Sequence, residues 1–273
     1  MQRAIRLDVH LSTHGLSKSR ESAKKEIMAG WVSVDGATIR TPSTMIAGTE
    51  AISISRPKGV YASRGGDKLH HALTAAQFSV AGVEAVDLGA STGGFTDCLL
   101  AHGATRVFAI DVGYGQFEYR LRIDQRVVLM ERTNVRTLTR DMFNDANIRV
   151  LVADLSFISL TKIFPVIHDV FSPIEGFLLV KPQFEATKGE HKKGVERGRD
   201  RHQAILKRFL DSAVANGITP RSIIPSPIKG PAGNIEFFVH FVIGNTFEPT
   251  ETTEIETMVE CAIAEAYERF EAE

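Results

Sequence analysis

Residues 83–97 read V-E-A-V-D-L-G-A-S-T-G-G-F-T-D, and the fold turns on them. Val83, Ala85, Val86 and Leu88 make a short apolar strand that runs into a turn built on Gly89, Gly93 and Gly94. Phe95, Cys98 and Leu99 then fall on one face of a helix. Strand, glycine turn and helix together open a nucleotide-binding α/β unit. The Gly89-x-x-x-Gly93-Gly94 spacing is not the G-x-G-x-x-G of dinucleotide folds, and no Gly-Lys-Ser/Thr follows to cradle a phosphate. A glycine turn without that signature suits a ligand that carries adenosine but no phosphate and is approached by bare backbone. The next strand, R-V-F-A-I-D, ends in Asp111, 24 residues beyond Asp87, and an acid about 20 residues on at a strand's end commonly grips ribose hydroxyls. S-adenosylmethionine fits both halves of the pattern. A dinucleotide site or a purely structural turn is the alternative for this stretch taken alone. The candidate cofactor residues here are Asp87, Gly89, Ala90, Ser91, Thr92, Gly93, Gly94, Phe95 and Asp111.

Working outward, strands and helices alternate. V-V-L-M-E ends at Glu131-Arg132-Thr133-Asn134, and a helix is expected around 139–146. I-R-V-L-V-A-D delivers Asp154, an apolar helix follows to about Val170, and G-F-L-L-V-K-P delivers Lys181. N-I-E-F-F-V-H-F-V-I places Glu236 at the head of a long last strand. This alternation predicts a doubly wound, mostly parallel sheet, and the returning last strand predicts an antiparallel edge. Polar residues at strand carboxyl ends sit at the ligand crevice of such a sheet, which adds Asn134 and Asp154 to the cofactor candidates.

Lys68 belongs to S-R-G-G-D-K-L, at the start of the helix preceding the first strand. A lysine there is electrostatically poor, because the helix N-terminus already carries partial positive charge. Taken singly, Lys68, Asp154, Lys181 and Glu236 read as salt-bridge formers. Together, in the order Lys68, Asp154, Lys181, Glu236 and beside the glycine turn, they resemble the K-D-K-E set of 2′-O-ribose methyltransferases, and that resemblance implies deprotonation of a ribose hydroxyl and transfer of a methyl group to it. Lys181 would take the proton, if burial and Lys68 lowered its pKa, or would stabilise the alkoxide as a cation. Asp154 and Glu236 would orient the two ammonium groups, and no metal is required. His70 and His71 have no further ligand at metal spacing and read as structural or solvent-facing.

The first 55 residues form a separate pattern. A short helix stops at Gly15, a second runs from a Ser17 or Ser19 cap to Gly30, and W-V-S-V-D-G announces a hairpin. Over residues 1–58, nine Lys/Arg stand against five Asp/Glu. Arg6, Lys18, Arg20, Lys24 and Lys25, with Arg64 beyond the junction, are the RNA-binding candidates. Arg56-Pro57-Lys58-Gly59 reads as a junction, giving units at 1–55, 56–62 and 63–273.

Over the whole chain of 273 residues, 43% are hydrophobic and the formal net charge is −1, so any affinity for nucleic acid has to come from local clustering. Two cysteines, no signal-peptide core and no membrane-length apolar run predict a soluble cytoplasmic protein. Residues 185–208 carry eight Lys/Arg and four Asp/Glu, and their glycine-containing first part reads as a mobile loop beside Lys181. The 26 residues from Glu248 hold nine Glu and one Arg, with Ile255, Met258, Val259, Ala262, Ile263 and Ala266 at helical spacing. They predict a helix packed on the sheet with an acidic outer face, so an RNA surface would lie elsewhere.

R-L-D-V-H-L followed by S-R-x-x-A-K-K-x-I-x-A-G-x-V-x-V-D-G resembles the small RNA-binding module named for ribosomal protein S-four. V-D-L-G-A-S-T-G-G-F-T-D, A-D-L-S-F-I-S-L, K-P-Q-F-E and S-P-I-K-G-P-A-G-N-I-E-F resemble the FtsJ-like methyltransferases. Together they look like the TlyA family, also labelled hemolysin A. That resemblance implies a Rossmann-like S-adenosylmethionine-dependent methyltransferase sheet, a small N-terminal α+β RNA-binding domain, and Lys68-Asp154-Lys181-Glu236 as a catalytic tetrad. It implies ribosomal RNA or ribosomal subunits as partner and cytidine 2′-O-methylation on either or both subunits. Asp67, where a neutral residue is expected, departs from the pattern and bears on the charge near Lys68. A non-catalytic ribosome-assembly factor is the alternative. A small-molecule methyltransferase would leave the RNA module idle, and a lytic protein finds no support in the residues. Oligomeric state is left open.

Overall fold

The computed structural model describes residues 4–17, 19–55, 61–144, 146–186, 195–244 and 251–271. Lys18, most of the 56–62 junction and the first part of the basic loop therefore lie outside the described residues, as does the side chain of Lys25.

The N-terminal elements are β1 (Ile5–Arg6), α1 (Leu7–Thr13), α2 (Arg20–Met28), β2 (Val32–Val34), β3 (Ala37–Ile39), β4 (Met45–Ile46) and β5 (Ile52–Ile54). Ser19 is the cap of α2, its Oγ accepting from the Ser22 N–H at 3.1 Å. Ser17 instead donates to Glu26 Oε2 at 2.6 Å. Asp35 and Gly36 sit at φ 48° and 80°, the left-handed pair that a two-residue hairpin turn demands. Leu7, Leu11, Ala23, Ile27, Val32 and Ile46 close a core of their own.

The remaining elements are α3 (Arg64–Ala75), β6 (Glu84–Leu88), α4 (Gly94–Ala101), β7 (Arg106–Ile110), α5 (Tyr119–Arg122), β8 (Val127–Met130), β9 (Ile148–Ala153), α6 (Phe164–Phe171), β10 (Ile174–Val180), α7 (Pro182–Glu185), α8 (Arg199–Ala215), β11 (Thr219–Pro225), β12 (Phe237–Ile243) and α9 (Thr252–Glu271). Seven strands form one sheet in the order β11-β12-β10-β9-β6-β7-β8. From β10 to β8 all pairings are parallel, and β12 runs antiparallel to both of its neighbours. The central strands are mostly apolar because both faces are covered, with Asp87 in β6 a buried exception. On one face Leu151, Leu178 and Phe237 pack with Ile163, Leu206 and Ile263. On the other, Val152, Phe177 and Phe238 pack with Leu69, Phe95 and Leu99.

Two expectations are corrected. The last strand is one position in from the edge, and the edge itself is β11, T-P-R-S-I-I-P. Pro220 and Pro225 lack N–H donors, which confines such a strand to an edge. The helix expected around 139–146 is only a 3-10 turn at Arg140–Phe143. Its sequence is rich in Asp and Asn, which favour turns, and Asn144 breaks it at φ 49°. Helix α9 is as expected, with Ile255, Val259, Ala262, Ile263 and Ala266 buried.

Candidate active site

Glycines set the site by letting two helix starts meet. Ser63 caps α3, its Oγ accepting from the Gly65 N–H at 3.2 Å. A Cβ on Gly94 would lie 2.2 Å from Ser63 Oγ and 3.0 Å from the Gly66 nitrogen. One on Gly66 would lie 2.2 Å from the Tyr61 side chain. The R-G-G and T-G-G runs are thus two sides of one close approach, which carries Lys68 to the glycine turn. Gly89 serves the other side of that turn. At φ +88°, a Cβ there would meet the Asp154 carbonyl oxygen at 2.4 Å.

The four tetrad candidates line one cavity of about 310 Å³ together with the glycine turn. Lys68 Nζ lies 2.5 Å from Glu236 Oε2, with the two side chains only 8% and 1% exposed. Lys181 Nζ lies 2.5 Å from Asp154 Oδ1, an ionic contact off the hydrogen-bonding direction. Lys181 also donates to Ser156 Oγ at 3.0 Å. Each ammonium therefore faces a carboxylate. Asp67 is exposed while Lys68 is buried, so the unexpected acid points away from the pair.

A second cavity of about 490 Å³ shares Gly89, Ser91, Asp154 and Ser156 with the first. Its remaining lining includes Asp111 and Asn134 and the apolar Val112, Val135, Leu155 and Ile158. The Asp111 carboxylate is held in place, accepting from the N–H groups of Ser91 (2.8 Å) and Gly113 (2.6 Å) and from Gln116 Nε2 (3.1 Å). Ala90, Thr92, Gly94 and Phe95 face the tetrad cavity, and Asn134 faces the larger one.

Two cofactor candidates stand apart. Asp87 is fully buried and lines neither cavity, accepting instead from Thr96 Oγ1 at 2.7 Å. Burial pushes its carboxyl up to about 7. Its place is beneath the turn, because strand alternation turns it inward. Gly93 is buried under Leu121 and Phe117, where its φ of +94° and their packing exclude a side chain. Cys98 is buried as well, its thiol pushed up to about 12 by desolvation, so it is no nucleophile.

Among the RNA candidates, Arg6 and Arg20 both engage buried Asp8. Arg6 grips it through two bonds of 2.9 and 3.0 Å, and Arg20 reaches it at 3.1 Å. Hydrogen bonds from Arg6, then from Arg20, hold the Asp8 carboxyl down at about 2. The two arginines remain 40% and 52% exposed, so their outer edges still face solvent. Lys24 lies 3.7 Å from Glu21. Arg64 is exposed at the mouth of the tetrad cavity. His70 approaches His102 at 3.0 Å, and the described residues hold no metal-type cluster.

The sequence reading gave no role to Ser63, Ser156 or Phe157. Ser63 was legible as a helix cap. Phe157 is 91% exposed at φ +65° beside the larger cavity, its ring 5.4 Å from that of Phe184.

Residues 61–242 match the family profile described as FtsJ-like methyltransferase. The chain belongs to that family. Residues 5–52 match the S4 domain. The methyltransferase is 41% identical to a protein named Hemolysin A from Brachyspira hyodysenteriae, over 88% of this chain and 100% of the relative. It is also 41% identical to 16S/23S rRNA (cytidine-2′-O)-methyltransferase TlyA of Mycobacterium tuberculosis, over 88% of this chain and 90% of that one. A solved structure from Streptococcus thermophilus that carries a hemolysin label aligns with a TM-score of 0.73 at 35% identity, covering 100% of this methyltransferase and 98% of that chain. Among the described residues, no helix is long and apolar enough to cross a membrane.

Proposed function

We propose that this methyltransferase transfers the methyl group of S-adenosylmethionine to the 2′-hydroxyl of a cytidine in ribosomal RNA, on the small subunit, the large subunit or both. One observation carries the reading: two lysine–carboxylate pairs, the buried Lys68–Glu236 and the partly buried Lys181–Asp154, line a single cavity beside the glycine turn.

The site residues fit the donor. Asp111, already oriented, suits the ribose hydroxyls, Asn134 and the slot of Val112, Val135, Leu155 and Ile158 suit adenine, and Gly89–Thr92 with Gly94 and Phe95 suit the methionine portion. When bound, the donor supplies an electrophilic methyl group on a sulfonium. A neutral hydroxyl attacks it poorly and has to shed its proton. Lys181 orients the 2′-oxygen and offsets the charge that develops on it, inside a cavity where such stabilisation is strong. Its carboxylate partner suits the charged form of the lysine, and the proton leaves by way of half-exposed Asp154 to solvent. Lys68 and Glu236 extend the same field behind Lys181. No metal is needed for this route.

Arg64 at the cavity mouth and the outer edges of Arg6, Arg20 and Lys24 take RNA phosphates, while Phe157 offers a stacking face to an extruded base. In this reading Lys18 and Lys25 belong to the same RNA-facing set. Residues 1–55 bind RNA, 56–62 link, and 63–273 catalyse, in the cytoplasm where ribosomal RNA is modified. The test combines labelled S-adenosylmethionine with separated ribosomal subunits from cells lacking the protein, and runs Lys181→Ala alongside. Label on a subunit, absent with Lys181→Ala, is the expected result. No transfer to either subunit or to naked RNA, despite bound donor, overturns it in favour of an assembly factor.

A further inference from the structure

Two loops carry Lys181 and Asp154. Asp154 follows β9 and opens the stretch 155–159, while Lys181 follows β10 and opens α7. The two strands are parallel neighbours, so both residues emerge at the same sheet edge. Nothing in the strand pairing fixes the loops against one another beyond that edge, yet the ionic pair needs them held to a fraction of an ångström.

The last residue of α7 ties the two loops. Glu185 Oε1 accepts from the Leu160 N–H at 2.8 Å, and Oε2 accepts from Ser159 Oγ at 2.5 Å. Ser159 in turn caps the next helical turn, its Oγ accepting from the Thr161 N–H at 3.2 Å. One residue back, the ring of Phe184 lies 5.4 Å from that of Phe157, tilted by 50°. The 155–159 stretch is therefore clamped at both ends, by Lys181 on Asp154 and Ser156 and by Glu185 on Ser159 and Leu160. Between the clamps lies Phe157 in a left-handed conformation that a non-glycine residue adopts only when its surroundings impose it. Glu185 lines neither of the two cavities, so it touches neither donor nor substrate there. Burial pushes its carboxyl up, and two donors aimed at it offset part of that cost.

We infer that Glu185 is a positioning residue for methyl transfer: it locks the Asp154–Ser159 loop onto α7 and so sets the Lys181–Asp154 geometry and the pose of Phe157. The inference rests on the proposed role of Lys181. Glutamine can preserve both bonds, its carbonyl oxygen accepting from Leu160 and its amide donating to Ser159 Oγ, whereas alanine removes both.

The experiment compares native protein, Glu185→Ala, Glu185→Gln, Ser159→Ala and Lys181→Ala for kcat and KM on ribosomal subunits. It also measures S-adenosylmethionine affinity by calorimetry and melting temperature. A misplacement of about 1 Å costs roughly 10²-fold in rate. Glu185→Ala is expected to lose about that much in kcat, with a far smaller loss of donor affinity because Leu155 and Ile158 of the same stretch line the donor slot, while Glu185→Gln stays near native and Ser159→Ala falls between. Native kcat in Glu185→Ala overturns the inference. So does a loss in which kcat, donor affinity and melting temperature fall together and Glu185→Gln fails as well, since that marks a structural residue. An active Lys181→Ala would instead sink the function reading, and an inactive Lys181→Ala with a native Glu185→Ala sinks only this one.

Discussion

Replacing Glu236 with alanine should cost far more stability than replacing Asp154, although both should cost activity. Lys68 and Glu236 are 8% and 1% exposed, so removing the carboxylate strands an ammonium in a nearly dry cavity. Breaking a buried pair in this way costs about 3–5 kcal/mol. At roughly 2–4 °C per kcal/mol for a domain of this size, melting should drop by about 6–20 °C. The Asp154 side chain is 25% exposed, so its removal opens Lys181 to water, and Ser156 Oγ still accepts from the lysine left behind. The loss of that partner should sit near the ~1 kcal/mol of a solvated pair, a few degrees at most. Lys68→Met combined with Glu236→Leu should restore much of the melting temperature without restoring methyl transfer, because an apolar pair of similar volume replaces the ionic one. Differential scanning calorimetry on the three variants reads the ordering. Equal melting losses for Glu236→Ala and Asp154→Ala would refute the burial argument.

Three further outcomes follow from the same geometry. The Asp87 carboxyl is raised from 3.8 to about 7 by burial, so the folded state keeps its proton while the unfolded chain loses it. Stability should fall as pH rises across that window, by a total on the order of 4 kcal/mol, and level off above it. Asp87→Asn should flatten this fall, as read by denaturant melts at each pH. A methyl at Gly94 would lie 2.2 Å from Ser63 Oγ, so Gly94→Ala should push α3 off the glycine turn and weaken donor binding in calorimetry, at about 1–3 kcal/mol in stability. Arg64→Ala should leave donor affinity intact but weaken RNA binding and lower the salt slope by about one unit, as a single phosphate contact requires.

The parallel sheet was legible because strands such as β7, β9 and β10 are largely apolar runs that end beside a charged residue, and Asp154 and Lys181 stood out because they follow neighbouring parallel strands. The glycine spacing gave the cofactor turn for the same reason: backbone conformation restricts what can stand at Gly89. Where the sequence misled, a second requirement competed with the local pattern. Asp87 sits in a motif that suggests ligand contact, yet strand alternation turns it under the turn, where Thr96 takes it up. The sequence did not show that Arg6 and Arg20 share Asp8, only two residues from Arg6, as a partner once α1 and α2 pack, which leaves only their outer edges for phosphate. The Asp-rich and Asn-rich run at 139–146 had too little apolar surface to hold a helix against its turn-forming residues. Pro220 and Pro225 did announce an edge strand, though their message is negative, a missing donor rather than a visible period. Glu185 was invisible, because its partners lie across a parallel strand pair and nothing in the spacing links them.

The central claim is the atom that receives the methyl group. Alkaline hydrolysis of RNA needs a free 2′-hydroxyl as its nucleophile, so ribose methylation protects the adjoining phosphodiester while base methylation does not. Ribosomal RNA labelled by the native protein from S-adenosylmethionine should therefore release its label in alkali-resistant dinucleotides with cytidine at the 5′ position, and Lys181→Ala should release none. Label recovered in mononucleotides would place the methyl on a base and contradict the account.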